Sequence, residues 1–147
     1  MSKDKNLDRL VNLVQLRLQS RGKAKTNDPQ GNVVYIDIDI YKKDMLEAFL
    51  ELSVSNFNQV PSFTNFSLAD DSFVDCFTEV LVEGATIYAL ASQALIERGR
   101  EFQIVDNGVR FDPPTVSDML NTQYCTLLVH HWEKLKTIKA RIHEFKK

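Results

Sequence analysis

Three groups of residues have the types that site chemistry needs. Asp37, Asp39 and Asp44 lie close together in the chain. A calcium loop of the EF-hand kind needs Gly at its sixth position and Glu at its twelfth. Counted from Asp37, those positions hold Lys42 and Ala48, so the acids read as helix caps and a solvated face. His130, His131 and Glu133 flank Trp132. Adjacent histidines on a helix point about 100° apart and cannot share a metal as an i, i+4 pair does. Their order is also not the Glu-x-x-His of carboxylate-bridged metal bundles. His131 falls on an apolar stripe and reads as a core histidine. Cys76 and Cys125 are isolated thiols, without CxxC or Cys/His spacing. They suit small apolar roles in a reducing compartment. Phosphate-loop, dinucleotide and nucleophile-elbow patterns are all missing from the sequence. The sequence therefore assigns no catalytic residue, no cofactor site and no metal site.

The elements around these residues are more informative. The chain has 147 residues, 44% hydrophobic and 26% charged, which fits one globular domain. No apolar run approaches the roughly 18 residues of a membrane span, and MSKDKNLDRL carries charges where a secretion signal would be apolar. Charge is unevenly placed. Residues 1–25 hold seven Lys/Arg against two acids, and residues 132–147 hold six against two. The middle is correspondingly acidic. Basic ends on an acidic body suit stacking between copies, or contact with an acidic partner or nucleic acid.

Leu7, Leu10, Val11, Val14 and Leu18 recur at helical spacing. The glycine- and proline-containing RGKAKTNDPQGN follows, read as a flexible loop. The expected organisation is an N-terminal helical arm over residues 1–20, a flexible loop over 21–32 and a helical core domain over 33–147. VVYIDIDIY alternates with period two and predicts a short extended segment, with Asp37 or Asp39 available to cap the next helix. That helix runs to about Phe57 and stops before Pro61. NFNQVPSFTNFS has no period and predicts a structured loop whose phenylalanines enter the core. A helix of roughly 28 residues follows from Ser67 or Asp70. Gly84 lies mid-helix, where it costs about 1 kcal/mol relative to Ala, so a packing reason is expected. EFQIVDNGVRFD, residues 101–112, alternates around Asn107-Gly108, the pair favoured in type I′ hairpin turns. Ile104 should lie opposite Phe111, and Val105 opposite Arg110. A final helix of about 30 residues carries Leu120, Tyr124, Leu127, His131, Leu135, Ile138, Ile142 and Phe145. The fold class is mainly α: a helical bundle with two long helices joined by a β-hairpin, plus the N-terminal arm. Core positions are Phe63, Phe66, Phe73, Phe77, Leu81, Tyr88, Leu95, Tyr124, Leu127 and Leu135.

The segments FNQVPSFTNFS, FTEVLVEGATIYALASQALIERGREF, IVDNGVRFDPP and HWEKLK carry a resemblance. Over roughly residues 6–140 the chain resembles virion structural proteins of tailed bacteriophages, in particular the small helical head–tail connector (adaptor or neck) proteins. The resemblance implies a ring of usually twelve copies beneath the portal protein. The ring extends the DNA channel towards the tail, and DNA passes through without sequence specificity. It also implies a virion protein assembled in the host cytoplasm, with tail or neck proteins as further partners. The portal-reaching role is placed on the C-terminal helix, at Trp132, Leu135, Lys136, Lys139, Ile142 and Phe145. Leu7, Leu10, Val14, Ile104, Asn107, Gly108 and Phe111 are placed between subunits. Two alternatives remain: another tail, neck or baseplate protein, or a nonspecific nucleic-acid-binding accessory protein using Arg21, Lys23 and Lys25.

Overall fold

A computed structural model of the chain describes residues 2–19, 21–100, 104–106, 109–111 and 116–145. In chain order the elements are α1 (Ser2–Leu18), β1 (Arg21–Asn27), β2 (Val33–Asp39), α2 (Lys43–Gln59), α3 (Asp71–Arg100), β3 (Ile104–Asp106), β4 (Val109–Phe111) and α4 (Val116–Phe145). The protein is mainly helical. Its two longest helices, α3 and α4, are joined by the β3–β4 hairpin and pack together. They run antiparallel. Arg98 pairs with Asp118 at one end, and Lys134 pairs with Glu79 further along.

The helix boundaries follow from local chemistry. The Asp70 side chain accepts a hydrogen bond from the Phe73 backbone N–H, an N-cap for α3, and Asp71 adds negative charge to the first turn. α2 ends at Gln59 because Val60, preceding Pro61, turns extended. The N-cap of α2 is Lys42, which makes no side-chain cap bond. Neither Asp37 nor Asp39 takes the N-cap position, contrary to expectation, because Ile40, Tyr41 and Lys42 separate the strand from the first turn.

The core lies where α1, α2 and α3 meet, with α4 laid along α3. Leu10, Val14, Leu46, Leu50, Val74 and Leu81 are fully buried there. The loop after α2 adds an aromatic cluster. Phe66 stacks on Phe73 at 4.7 Å between centroids, and Phe57 meets Phe73 edge-on at 5.1 Å. Asn58 shapes this loop with its side chain. Its Oδ1 accepts from Phe66 N–H and Thr64 Oγ1, and its Nδ2 donates to the Phe66 carbonyl. α3 bends at Phe77, which packs within the same cluster.

Three further expectations change. Residues 21–32 are not a flexible loop. β1 pairs antiparallel with β2, from Arg21 opposite Asp39 to Asn27 opposite Val33. Pro29 and Gly31 belong to its turn, whereas Gly22 lies within β1 opposite Ile38. Asp28 accepts from the Asn32 backbone N–H, which holds its carboxyl below the usual range, and Gly31 has φ +86°. The second concerns the N-terminal arm, since α1 is docked on its own chain. Asn6 is buried and donates to the Leu68 carbonyl and Asp71, while Arg9 pairs with Asp75, Lys3 with Glu51 and Asp8 with Lys43. The third concerns two supposed core residues: Phe63 is 87% exposed and Leu95 72% exposed.

Candidate functional site

The polar interior is a small cluster between α3 and α4. Glu83 Oε1 lies 3.1 Å from His131 Nδ1, and Lys134 Nζ donates to Glu83 Oε2. Burial pushes the His131 ring below its ordinary pKa, against the pull of Glu83. The ring is thus neutral near pH 7, its Nδ1–H donating to Glu83. Burial alone would raise the Glu83 carboxyl, but hydrogen bonds from Lys134 and His131 outweigh it and the net shift is downward. The remaining nitrogen, His131 Nε2, faces Gly84 and Ser53. A Cβ on Gly84 would stand 3.4 Å from Nε2 and would collide with the Ser53 hydroxyl. Ser53 donates to the Leu81 carbonyl at 2.9 Å, so its proton is committed to the backbone. Gly84 is the point where α2, α3 and α4 converge. The cluster reads as a polar joint between helices, with the Glu83 carboxylate paired to both His131 and Lys134. His130 and Glu133, its sequence neighbours, are exposed. Among the described residues, no group of His, Cys, Asp and Glu could hold a metal ion, and no helix is long and apolar enough to cross a membrane.

The C-terminal residues expected to reach a partner divide into two sets. Leu135 and Lys139 are buried and Ile142 packs half-buried against the core. These three are withdrawn as outward-facing contacts, because the helix turns them onto its own body. Lys139 Nζ donates to the Ser62 carbonyl at 2.6 Å and sits 5.2 Å from the Phe57 ring centre. His143 Nε2 lies 3.0 Å from Ser62 Oγ, so α4 is held against the loop nearly to its end. Trp132 and Lys136 remain outside. With Cys125 and Val129 they share one exposed flank of α4, spaced by four, three and four. The Phe145 side chain lies outside the described residues.

The subunit-contact set divides as well. Leu10 and Val14 are fully buried in the chain's own core and Leu7 packs on it, so all three are withdrawn as contacts between copies. In the β3–β4 hairpin, Ile104 lies opposite Phe111 and Val105 opposite Arg110, the register expected. Asn107 and Gly108, with the turn type they were expected to form, lie outside the described residues. So do the side chains of Ile104 and Phe111.

The surface missed by sequence reading is the β1–β2 hairpin. Both strands are sheet edges. Among the described residues the ribbon packs substantially on no helix. Its root is anchored by Tyr41, which is buried and donates to the Ala89 carbonyl at 3.4 Å. Beyond that root, Val33, Val34, Tyr35, Ile36 and Ile40 are all exposed. Strand alternation gives Ala24, Thr26, Val34 and Ile36 one face, and Lys23, Lys25, Tyr35 and Asp39 the other. The signal was present: Lys-Ala-Lys-Thr alternates as VVYIDIDI does, and Asp-Pro-Gln-Gly-Asn between them is turn chemistry. Comparison with known proteins found no matching family model, no matching curated protein and no matching solved structure.

Proposed function

We propose that the protein is a structural component of a tailed-bacteriophage virion, a head–tail connector that assembles as a ring beneath the portal and docks the tail. One observation supports assembly above all. A self-sufficient helical body carries a two-stranded ribbon whose aliphatic residues Val34 and Ile36 are exposed and which, among the described residues, no helix substantially covers. A lone two-stranded hairpin is marginal in water, and exposed sheet edges invite pairing. Surface of this kind marks a protein that works in contact with others. The location in the virion rests on the sequence resemblance. On this reading Trp132 and Lys136, on the outer flank of α4, are the remaining candidates for portal contact, with an aromatic anchor beside a cation.

The test is addition of the purified chain to portal-bearing capsids, read by mass and by the symmetry of the bound density. Ordered addition in about twelve copies at the portal supports the reading. A chain that stays monomeric in that mixture counts against it. The exposed Lys23 and Lys25 favour a second reading, nonspecific binding to nucleic acid. That reading requires salt-sensitive DNA binding that Lys23→Glu with Lys25→Glu abolishes. Absence of binding at low salt removes it.

A further inference from the structure

We propose that the β1–β2 ribbon is the joint between copies of this chain, the free edge of β2 pairing with the free edge of β1 on the next copy. The inference rests on the reading of the protein as a self-assembling ring component. It goes further by naming the joining element and the direction of joining.

Charge selects the pairing. Within the ribbon, the cationic strand meets the acidic one: Arg21 lies opposite Asp39, Lys23 opposite Asp37 and Lys25 opposite Tyr35. Among the described residues, the outer edge of β1 and the outer edge of β2 are both unpaired. Three pairings between copies are open to such a ribbon. β1 against β1 brings Arg21, Lys23 and Lys25 to the same residues of the other copy. β2 against β2 does likewise with Asp37 and Asp39. β2 against the next copy's β1 repeats the complementarity already present inside each ribbon. Like charges across a strand pair destabilise and opposite charges stabilise. The head-to-tail pairing therefore wins on both sides.

The strand polarity fits as well. β1 and β2 are antiparallel. Copies related by rotation present their ribbons in the same sense, so β2 and the next β1 are antiparallel too. The alternation β1-β2-β1-β2 then continues as one antiparallel sheet. Its Val34 and Ile36 face becomes a continuous aliphatic band. A head-to-tail contact uses two different patches and leaves each patch free at one end. It therefore propagates, and it closes into a ring when the rotation per copy permits.

Disulfide trapping tests this directly, because it accumulates even transient contacts. The background is the full chain with Cys76→Ser and Cys125→Ser, both native thiols being exposed. One preparation adds Lys25→Cys and the other adds Tyr35→Cys. Lys25 and Tyr35 are already partners within a chain, so single variants are used, and a mixed disulfide can form only between copies. The two are mixed in equal amounts and oxidised. Mixed dimers exceeding either homodimer several-fold are expected. Homodimers as abundant as mixed dimers overturn the proposal, since they report pairing of like edges or random collision. Absence of disulfides while native mass shows rings also overturns it, and leaves the ring reading standing on another surface. Mixed disulfides in a chain that never proceeds beyond dimers support the pairing and instead remove the connector reading.

Discussion

α1 and the β1–β2 ribbon stand next to each other in the chain and have opposite fates. Both are amphipathic and both lie outside the α3–α4 pair. α1 buries Leu10 and Val14 completely, and its polar flank is matched by Leu68, Asp71 and Asp75. The ribbon has the same kind of apolar stripe in Val34 and Ile36, yet exposes it. The difference lies in what the neighbouring surface offers. α1 meets a groove between α2 and α3 that has both apolar floor and paired charges. The ribbon leaves the body at Tyr41 and, among the described residues, packs substantially on no helix. Basic residues therefore play two parts in this chain. Two of the four in α1, Lys3 and Arg9, pair with acids of α2 and α3. Lys23 and Lys25 of β1 are exposed.

The largest expected effect breaks the comparison from the α1 side. Leu10→Ala should destabilise the protein by about 2–5 kcal/mol, through lost burial and the cavity left behind. Urea unfolding followed by circular dichroism checks this, and the transition should stay single. A loss under about 0.5 kcal/mol, the size of an ordinary surface change, would mean that α1 is not packed on the body. Next in size is Lys139→Ala, expected to cost about 1–3 kcal/mol, since it strips a buried stem and leaves the Ser62 carbonyl unpaired. Lys136→Ala on the exposed flank should stay within about 0.5 kcal/mol. Equal effects at the two positions would mean that α4 faces the body differently.

Gly84→Ala sharpens the account of the body. A methyl there collides with Ser53, and such overpacking costs about 1–3 kcal/mol, while removing Gly from a helix returns up to about 1 kcal/mol. A net loss of about 1–2 kcal/mol is expected. Gly84→Ala combined with Ser53→Ala should recover part of it by withdrawing the obstacle. A stabilised single variant would show that the helices do not approach so closely.

The polar joint sets a pH dependence. The His131 ring is depressed in the folded state, so the folded protein binds fewer protons there than the unfolded chain. Its contribution is fully present above the unfolded pKa of about 6.5 and is lost as pH falls below that. Glu83 is depressed too, and its contribution is lost lower down, as pH falls below its ordinary value of about 4.5. Stability should therefore fall in two stages on acidification, the first beginning below about pH 6.5. His131→Gln should be less stable at pH 7.5 but should lose the first stage. Thermal melts of both proteins at pH 7.5 and 5.5 check this. An unchanged drop between those pH values in the variant would place the proton uptake elsewhere.

Much of the body was legible because periodicity survives in long helices. The α3 and α4 lengths, the hairpin between them and the core role of His131 all follow from spacing. Spacing also places Lys139 inwards, between Leu135 and Ile142. The resemblance assigns it outwards together with Leu135 and Ile142, because it takes the C-terminal helix as a unit, whichever way each residue faces. Leu95 fails in the opposite direction. Its stripe continues into the last turns of α3, beside the groove lined by Ala91 and Ala94, where apolar spacing outlasts the cover. β1 was missed because Lys, Ala, Gly and Asn are poor strand formers, and only pairing with β2 makes them a strand. What covers an element is not written in that element. This is why the stripes of α1 and β2 look alike in sequence and differ so much in exposure.

The smallest expected effect concerns the ribbon itself. Ile36→Ser should change the stability of the free chain by less than about 0.5 kcal/mol, since it removes no buried contact. Ile36 is 47% exposed, whereas Leu10 is fully covered. The comparison then predicts a divergence in hydrogen exchange. In the free chain, backbone amides of α1, α2 and α3 should exchange slowly, through global unfolding. Those of β1 and β2 should exchange much faster, because a ribbon without a covering layer opens on its own. In an assembled form joined edge to edge, the outward amides of β1 and β2 gain partners and should slow, while α1 scarcely changes. Protection of β1 and β2 equal to that of α1 in the monomer would mean that the ribbon is held by its own body. The contrast between the two elements would then be one of exposure alone, without a difference in stability.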